Sequence, residues 1–296
     1  MKDFTKNQLN IEEITKAINR HGYALQYASL NKFKELFIRK STKWQFVASE
    51  FPVNLINSGL DTRIDYILKN KDFPVYIIIE CKRVNPAFSN WGFIKVPFVH
   101  RKYSRDKFII DSLNKKNDSI KINAQQSIIF YDDYFFNIGL EFKSNNRGDS
   151  FGSKDSIEKA STQVCKGSNG FIETLYKNIG LLINGSSPKS TKLIIIPIII
   201  TTANLFSINV NLTDANIENG NVTQDQVKIK EINYVYYQYH QSEGIRQGYI
   251  NEINDYPDIP KVFEQKYIRT IPIVSSKNIE IFFSDFDFDL DDFYDI

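Results

Sequence analysis

Cysteine, histidine and long apolar runs are scarce in this chain, and each shortage removes a class of protein. Two cysteines in 296 residues do not build a disulfide scaffold, and one of them, Cys81, stands inside an apolar run far from Cys165. A reducing compartment fits. The three histidines, His21, His100 and His240, are scattered, which argues against zinc. His100, in FVHRKYS, reads as a surface residue. No apolar run approaches the ~20 residues that span a bilayer, and the opening MKDFTKNQLN lacks the apolar segment of a signal peptide. A cytoplasmic protein is expected. With 42% hydrophobic and 24% charged residues, the composition is that of an ordinary globular chain with a real core. No repeat and no clear linker is visible, so residues 1–284 are read as one domain.

The net charge of +2 conceals an imbalance. Six of the 35 acidic residues are aspartates between Asp285 and Asp295, in SDFDFDLDDFYDI, a stretch without Lys or Arg. The residues before it hold 37 basic against 29 acidic side chains. Within them, Arg83–Lys121 carries nine basic residues (Arg83, Lys95, Arg101, Lys102, Arg105, Lys107, Lys115, Lys116 and Lys121) against three aspartates. Interleaved with Trp91, Phe93, Phe98 and Tyr103, such a segment suits a polyanion, because phosphate neutralisation drives nucleic-acid affinity. The tail from 285 to 296 alternates acid and aromatic. It reads as disorder, as a docking motif for a protein partner, or as a strip lying over the basic groove.

The chemistry concentrates in DYILKNKDFPVYIIIECK, Asp65 to Lys82. Ile64–Leu68 and Val75–Cys81 are rich in Ile, Val and Tyr, as buried strands are. KNKDFP between them is turn chemistry closed by a proline. Folding back near Asp72 sets Asp65 opposite Glu80. Alternation along a strand places Glu80 and Lys82 on one face, and Ile79 and Cys81 on the other. Two carboxylates and an ammonium converge there. VYIIIEC is apolar enough for a central strand, where idle charges are costly. Carboxylates suit a hard cation such as Mg²⁺, with Mn²⁺ as substitute, which takes one or two of them plus water and phosphate.

Glu-x-Lys occurs three times, at Glu80/Lys82, Glu141/Lys143 and Glu264/Lys266. Glu264 follows PDIPKVF, with no long β-like run before it. Glu141 ends YDDYFFNIGLEFK, and if that is one strand, Asp132 and Asp133 lie roughly 25–30 Å away at ~3.3 Å per residue. Only Glu80 combines an apolar run with an acid on the preceding strand.

This constellation resembles that of the PD-(D/E)xK nucleases, which have the restriction-endonuclease-like fold. Asp65 matches the family's first metal-binding acid, with Ile64 where the family name has proline. Glu80 matches the second acid and Lys82 the lysine. The resemblance implies Asp65, Glu80 and the backbone carbonyl of Cys81 as metal ligands. Beside them it implies an upstream glutamate, Glu50 first and Glu35 second. It implies a helix over Ser156–Asn178 carrying Gln163 and Lys166 near the substrate, and a further sheet strand over Lys192–Thr202. The implied fold is α/β, a central mixed β-sheet flanked by helices, with an insertion of about residues 84–155 after the catalytic strand. The implied activity is Mg²⁺-dependent hydrolysis of nucleic-acid phosphodiesters, DNA before RNA, by an endonuclease of bacterial defence against phage. Implied partners beyond DNA are a sensor or ATPase subunit meeting the tail, and a second copy of the chain. The alternatives are a catalytically silent binding or scaffold subunit and a nuclease acting on transfer RNA.

Elsewhere, residues 8–40 read as helix. Phe51–Asn57, segments around Ser127–Phe142, Lys228–His240 and Thr270–Val274 read as strands. The tyrosines of Lys228–His240 suit a sheet face better than base stacking. Ser275–Phe283 reads as a short helix with Ser275 or Ser276 as its cap.

Overall fold

Apolar spacing over the first forty residues makes helix, but it makes two. In the computed structural model, which describes residues 10–20, 22–55, 60–96, 108–116, 119–127, 134–143, 155–178, 190–241 and 267–286, α1 (Ile11–Arg20) and α2 (Tyr23–Ile38) are separated at Gly22. Its φ of 75° is one that glycine adopts without strain. There follow β1 (Trp44–Leu55), β2 (Leu60–Asn70), β3 (Val75–Lys82), β4 (Asn90–Ile94), β5 (Phe108–Lys116), β6 (Ser119–Ser127), β7 (Phe135–Phe136) and β8 (Ile138–Phe142). After α3 (Asp155–Lys177) come β9 (Ser190–Thr201), β10 (Asn204–Asn209), β11 (Lys228–Ile232), β12 (Tyr234–His240), β13 (Ile268–Ser275) and α4 (Ile279–Asp285). No helix among the described residues is long and apolar enough to cross a membrane.

The architecture is a central mixed sheet flanked by helices. Its strands run β1-β2-β3-β9-β13-β12-β7, with β5 and β6 attached as a branch at β9. The branch has a chemical cause. In parallel pairing, the N–H and C=O of one residue point to the same neighbour. Ile194 and Thr202 direct their N–H groups to β3, so Pro197 turns to the opposite edge. It has no N–H to offer there. That edge is taken by β5, antiparallel, up to Ile195 and by β13, parallel, from Ile199. Pro197 sits in the fork.

Each face of this sheet has its own core. Ile67, Ile78 and Ile199 pack with Ile157, Val164 and Phe171 of α3. Ile77, Ile79 and Ile198 pack with Phe33 of α2 and Phe282 and Phe283 of α4. A second, four-stranded sheet, ordered β11-β10-β4-β8, adds Trp91, Phe93 and Leu205 to the α3-side core.

Several expectations need correction. Residues 84–155 are not one inserted unit. β4 and β8 belong to the second sheet, whereas β5, β6 and β7 join the main one. Lys228–His240 is two strands in two sheets, divided at Asn233. Its tyrosines Tyr236, Tyr237 and Tyr239 are buried, as sheet-face residues. The last helix is preceded by a 3-10 turn at Ser276–Asn278; Ser275 takes the N-cap position of the turn and Asn278 that of the helix, neither with a capping side-chain hydrogen bond. Trp91 and Phe93 are fully buried and offer no stacking surface to a substrate, and Phe98 and Tyr103 lie outside the described residues. Cys81 and Cys165 are both buried thiols.

Candidate active site

The turn between β2 and β3 is tied by Asn70, whose Oδ1 accepts from the N–H groups of Asp72 (2.8 Å) and Phe73 (3.1 Å). From there the strands pair only as far as Tyr66 and Ile79. Beyond that point β2 stays with β1 out to Leu60, and β3 stays with β9 out to Lys82. The central sheet therefore splits, and the first residues past the split are Asp65 and Glu80. Asp65 bridges the gap with its side chain, Oδ2 accepting from the N–H of Cys81 at 2.6 Å. The Cys81 main chain thus faces the split, while Lys82 O accepts from Thr202 N on the β9 side.

Across β2, the register pairs Ser49 with Tyr66 and Phe51 with Ile64, which sets Glu50 opposite Asp65. Glu50 has a φ of 51°. A non-glycine residue in that left-handed region costs about 1–3 kcal/mol, and such strain clusters at functional sites. Three acids lie in a row on three adjacent strands. With Lys82, Arg83 and Gln163 they line a cleft of about 300 Å³.

Burial sets the electrostatics. Asp65 is pushed up from 3.8 to about 6, first by desolvation and then by the neighbouring Glu50 charge, against the Cys81 hydrogen bond and Lys82. Glu80 is raised well above the usual carboxylate range by desolvation and by Asp65, with Lys82 opposing. Both acids are short of positive charge, and a divalent cation between them would supply it. Among the described residues no group of three or more His, Cys, Asp or Glu side chains forms a ready-made metal cage. Two carboxylates and a main-chain carbonyl are an open set, which suits Mg²⁺ because it keeps room for water and phosphate.

The other expected residues scatter. Gln163 of α3 reaches the cleft, but Lys166, half-buried on the same helix, does not line it. Arg83 lines it, and its Nη1 donates to the carbonyl of Asn19 at the end of α1. Lys95 is exposed just past β4 of the second sheet, away from the cleft. Lys115 is paired with Thr191 at the far end of β9, ten residues from Thr201, or roughly 33 Å at ~3.3 Å per residue. Arg101, Lys102, Arg105 and Lys107 lie outside the described residues, as does His100. Among the described residues, Arg83 is the basic residue of that segment that lines the cleft. Glu35 bonds Asn31 on the exposed side of α2 rather than the acids.

The rival triplets separate cleanly. Glu264 lies outside the described residues. Glu141, 4% exposed, caps α3: its carboxylate accepts from the N–H and hydroxyl of Ser156 and from the N–H of Ile157 (3.3 Å). Glu141→Ala should lose about 1–2 kcal/mol of stability and leave the cleft's chemistry intact. Urea unfolding read beside a metal-binding titration checks both halves; a lost metal response with unchanged stability would reverse the assignment.

Sequence reasoning missed Gln26 and Ser29 of α2. Both are buried, at 3%. Gln26 Nε2 donates to Glu50 Oε1 (2.6 Å) and to the main-chain oxygen of Asp65 (2.9 Å). Ser29 Oγ lies 3.0 Å from the Tyr66 hydroxyl and 3.5 Å from Cys81 Sγ. The available signal was two polar side chains on the helical stripe that also carries Leu30 and Phe33.

No protein-family model matches the chain, and no curated protein or solved structure matches it.

Proposed function

We propose that the chain is a divalent-metal-dependent nuclease of the PD-(D/E)xK type, with a restriction-endonuclease-like fold, acting on DNA in preference to RNA. One observation carries this reading: a central sheet splits where a half-buried Asp65 and a buried Glu80 stand opposed, with a lysine on the strand face of Glu80. A merely structural trio at that place would leave two desolvated acids with a single cation between them, a costly arrangement with no return in packing.

Asp65 and Glu80 would hold Mg²⁺, with the Cys81 carbonyl as a third donor. The ion, when bound, neutralises the scissile phosphate and makes a coordinated water acidic enough to attack. Cys81 N–H fixes the Asp65 carboxylate through Oδ2, leaving Oδ1 for the ion. Lys82, on the face of Glu80, would orient the attacking water and balance negative charge that develops on the phosphoryl oxygens. Arg83 and Gln163 stand on the rim of the cleft, where a nucleic-acid backbone must pass.

Purified protein incubated with plasmid DNA and with total RNA, in Mg²⁺, Mn²⁺ and EDTA, tests this. Cleavage of DNA that depends on the ion is the outcome the site predicts. Cleavage that survives complete chelation would remove the metal from the mechanism. Silence on both substrates would leave a binding subunit.

A further inference from the structure

The cleft is built against one helix as much as within one sheet. α2 touches all three site strands with two side chains at i and i+3. Gln26 bonds the Glu50 carboxylate on β1 and the Asp65 carbonyl on β2. Ser29 bonds the Tyr66 hydroxyl on β2, lies against Cys81 Sγ on β3, and donates back to the Gln26 carbonyl at 2.8 Å. Both protons of the Gln26 amide are spent, one on an acid and one on the main chain of the next acid. No other neutral side chain of that length donates twice from a single nitrogen.

Glu50 needs such a partner. It occupies a left-handed backbone conformation in a strand, and its Oε2 has only Arg63, at 3.9 Å and 72% exposed, as a cation nearby among the described residues. A surface pair of that kind orients little. The orientation of Glu50 therefore comes from Gln26, which at the same time fixes the main chain from which Asp65 projects. The strand register sets the two acids opposite each other, and the helix orients the Glu50 carboxylate against the main chain of Asp65.

We infer that Gln26 is the positioning residue of the metal site, acting through Glu50 and the Asp65 main chain to set the cleft's affinity for its divalent ion. The inference rests on the proposed nuclease reading. Groups that orient metal ligands from behind are worth ~10–100-fold in metal affinity or activity.

The test uses Gln26→Met, which keeps the length and bulk but donates nothing, and Gln26→Glu, which keeps the shape and replaces the donor with an acceptor. Two readouts are taken on the full chain: the Mn²⁺ concentration for half-maximal DNA cleavage, and the rise in melting temperature that Mn²⁺ alone produces. Both variants should need ~10-fold more Mn²⁺ or worse in each readout. Gln26→Met without metal should melt somewhat lower, because the Asp65 carbonyl and a Glu50 oxygen lose their donor, so the Mn²⁺ response of each variant is read as the rise above its own metal-free midpoint. Each substitution is repeated in a Glu50→Ala background, where the effect of losing Gln26 should shrink, since its main target is gone. Wild-type Mn²⁺ dependence in Gln26→Met, or full additivity with Glu50→Ala, would reduce Gln26 to packing and overturn the inference alone. Wild-type protein that neither cleaves nor responds thermally to Mn²⁺ would overturn the metal reading itself, and Gln26's role with it.

Discussion

Glu80→Gln should abolish metal-dependent cleavage and, in the absence of metal, raise the melting temperature. The loss should exceed ~10²-fold, the upper range for residues that only support a ligand. The gain in stability follows from the sign of the pKa shift. Glu80 titrates well above its ordinary value in the fold, mainly because burial penalises its charged form. An acid whose folded value lies above its unfolded one makes its full contribution to stability at low pH. That contribution is lost as pH rises through the unfolded and then the folded value. At neutral pH the protein carries this penalty, and Asp65, raised to about 6, carries a share of it. Glutamine removes the charge and keeps the shape. The gain should be on the order of 1–3 kcal/mol, read as a shift in the thermal or urea midpoint. Mn²⁺ should stabilise wild type and not the variant. A less stable, metal-responsive Glu80→Gln would place the ion elsewhere.

The pair that carries this prediction was legible because hairpin geometry is local. The turn residues and the alternation of Val75–Lys82 set Asp65 opposite Glu80 and put Lys82 on Glu80's face, as the structure has them. The helix over 155–177 and the strand over 190–201 were legible too, from the resemblance and a long apolar run. What could not be read was partnership across the chain. Nothing local in KIKEINYVYYQYH says that Asn233 hands the chain from one sheet to another. Nothing in Arg83–Lys121 says that Arg83 and Lys115 stand at opposite ends of β9. Glu50 was found by the resemblance, but its backbone strain and its partner Gln26 depend on a helix packing over a sheet.

Ending the chain after Ser284 should cost about 3–5 kcal/mol more than ending it after Phe286. Phe286 is 2% exposed. Its ring stacks on Phe282 at 4.7 Å and leans on Trp44 at 5.9 Å and Phe108 at 6.3 Å. Its carbonyl accepts from the indole N–H of Trp44 at 2.8 Å, and a buried N–H left without that partner adds to the loss. The tail's first aromatic is thus core, and its root lies by Trp44, about 20 Å along β1 from Glu50 at ~3.3 Å per residue. Urea midpoints of the chains 1–284 and 1–286 beside full-length protein decide the point; equal midpoints would refute it. The 1–286 chain then isolates the acidic residues beyond. If they compete with DNA for the cleft, their removal tightens binding in Ca²⁺ and steepens the log–log salt slope by ~0.9 for each further phosphate the protein neutralises. An unchanged slope leaves them free for a protein partner.

The fork at Pro197 also dictates a sequence of events in time. The strand carrying Glu80 is complete at residue 82, yet the neighbour on its far side begins at residue 190, and the strand that closes the upper half of that neighbour's edge begins at residue 268. Until β9 is made, β3 lacks the neighbour that holds its outer edge. Loops of that length close slowly, and topologies rich in distant strand pairs fold late. The split in the sheet therefore forms no earlier than β9, and a polypeptide cut between α3 and β9 carries every residue that lines the cleft without the strand that holds the Glu80 side of it.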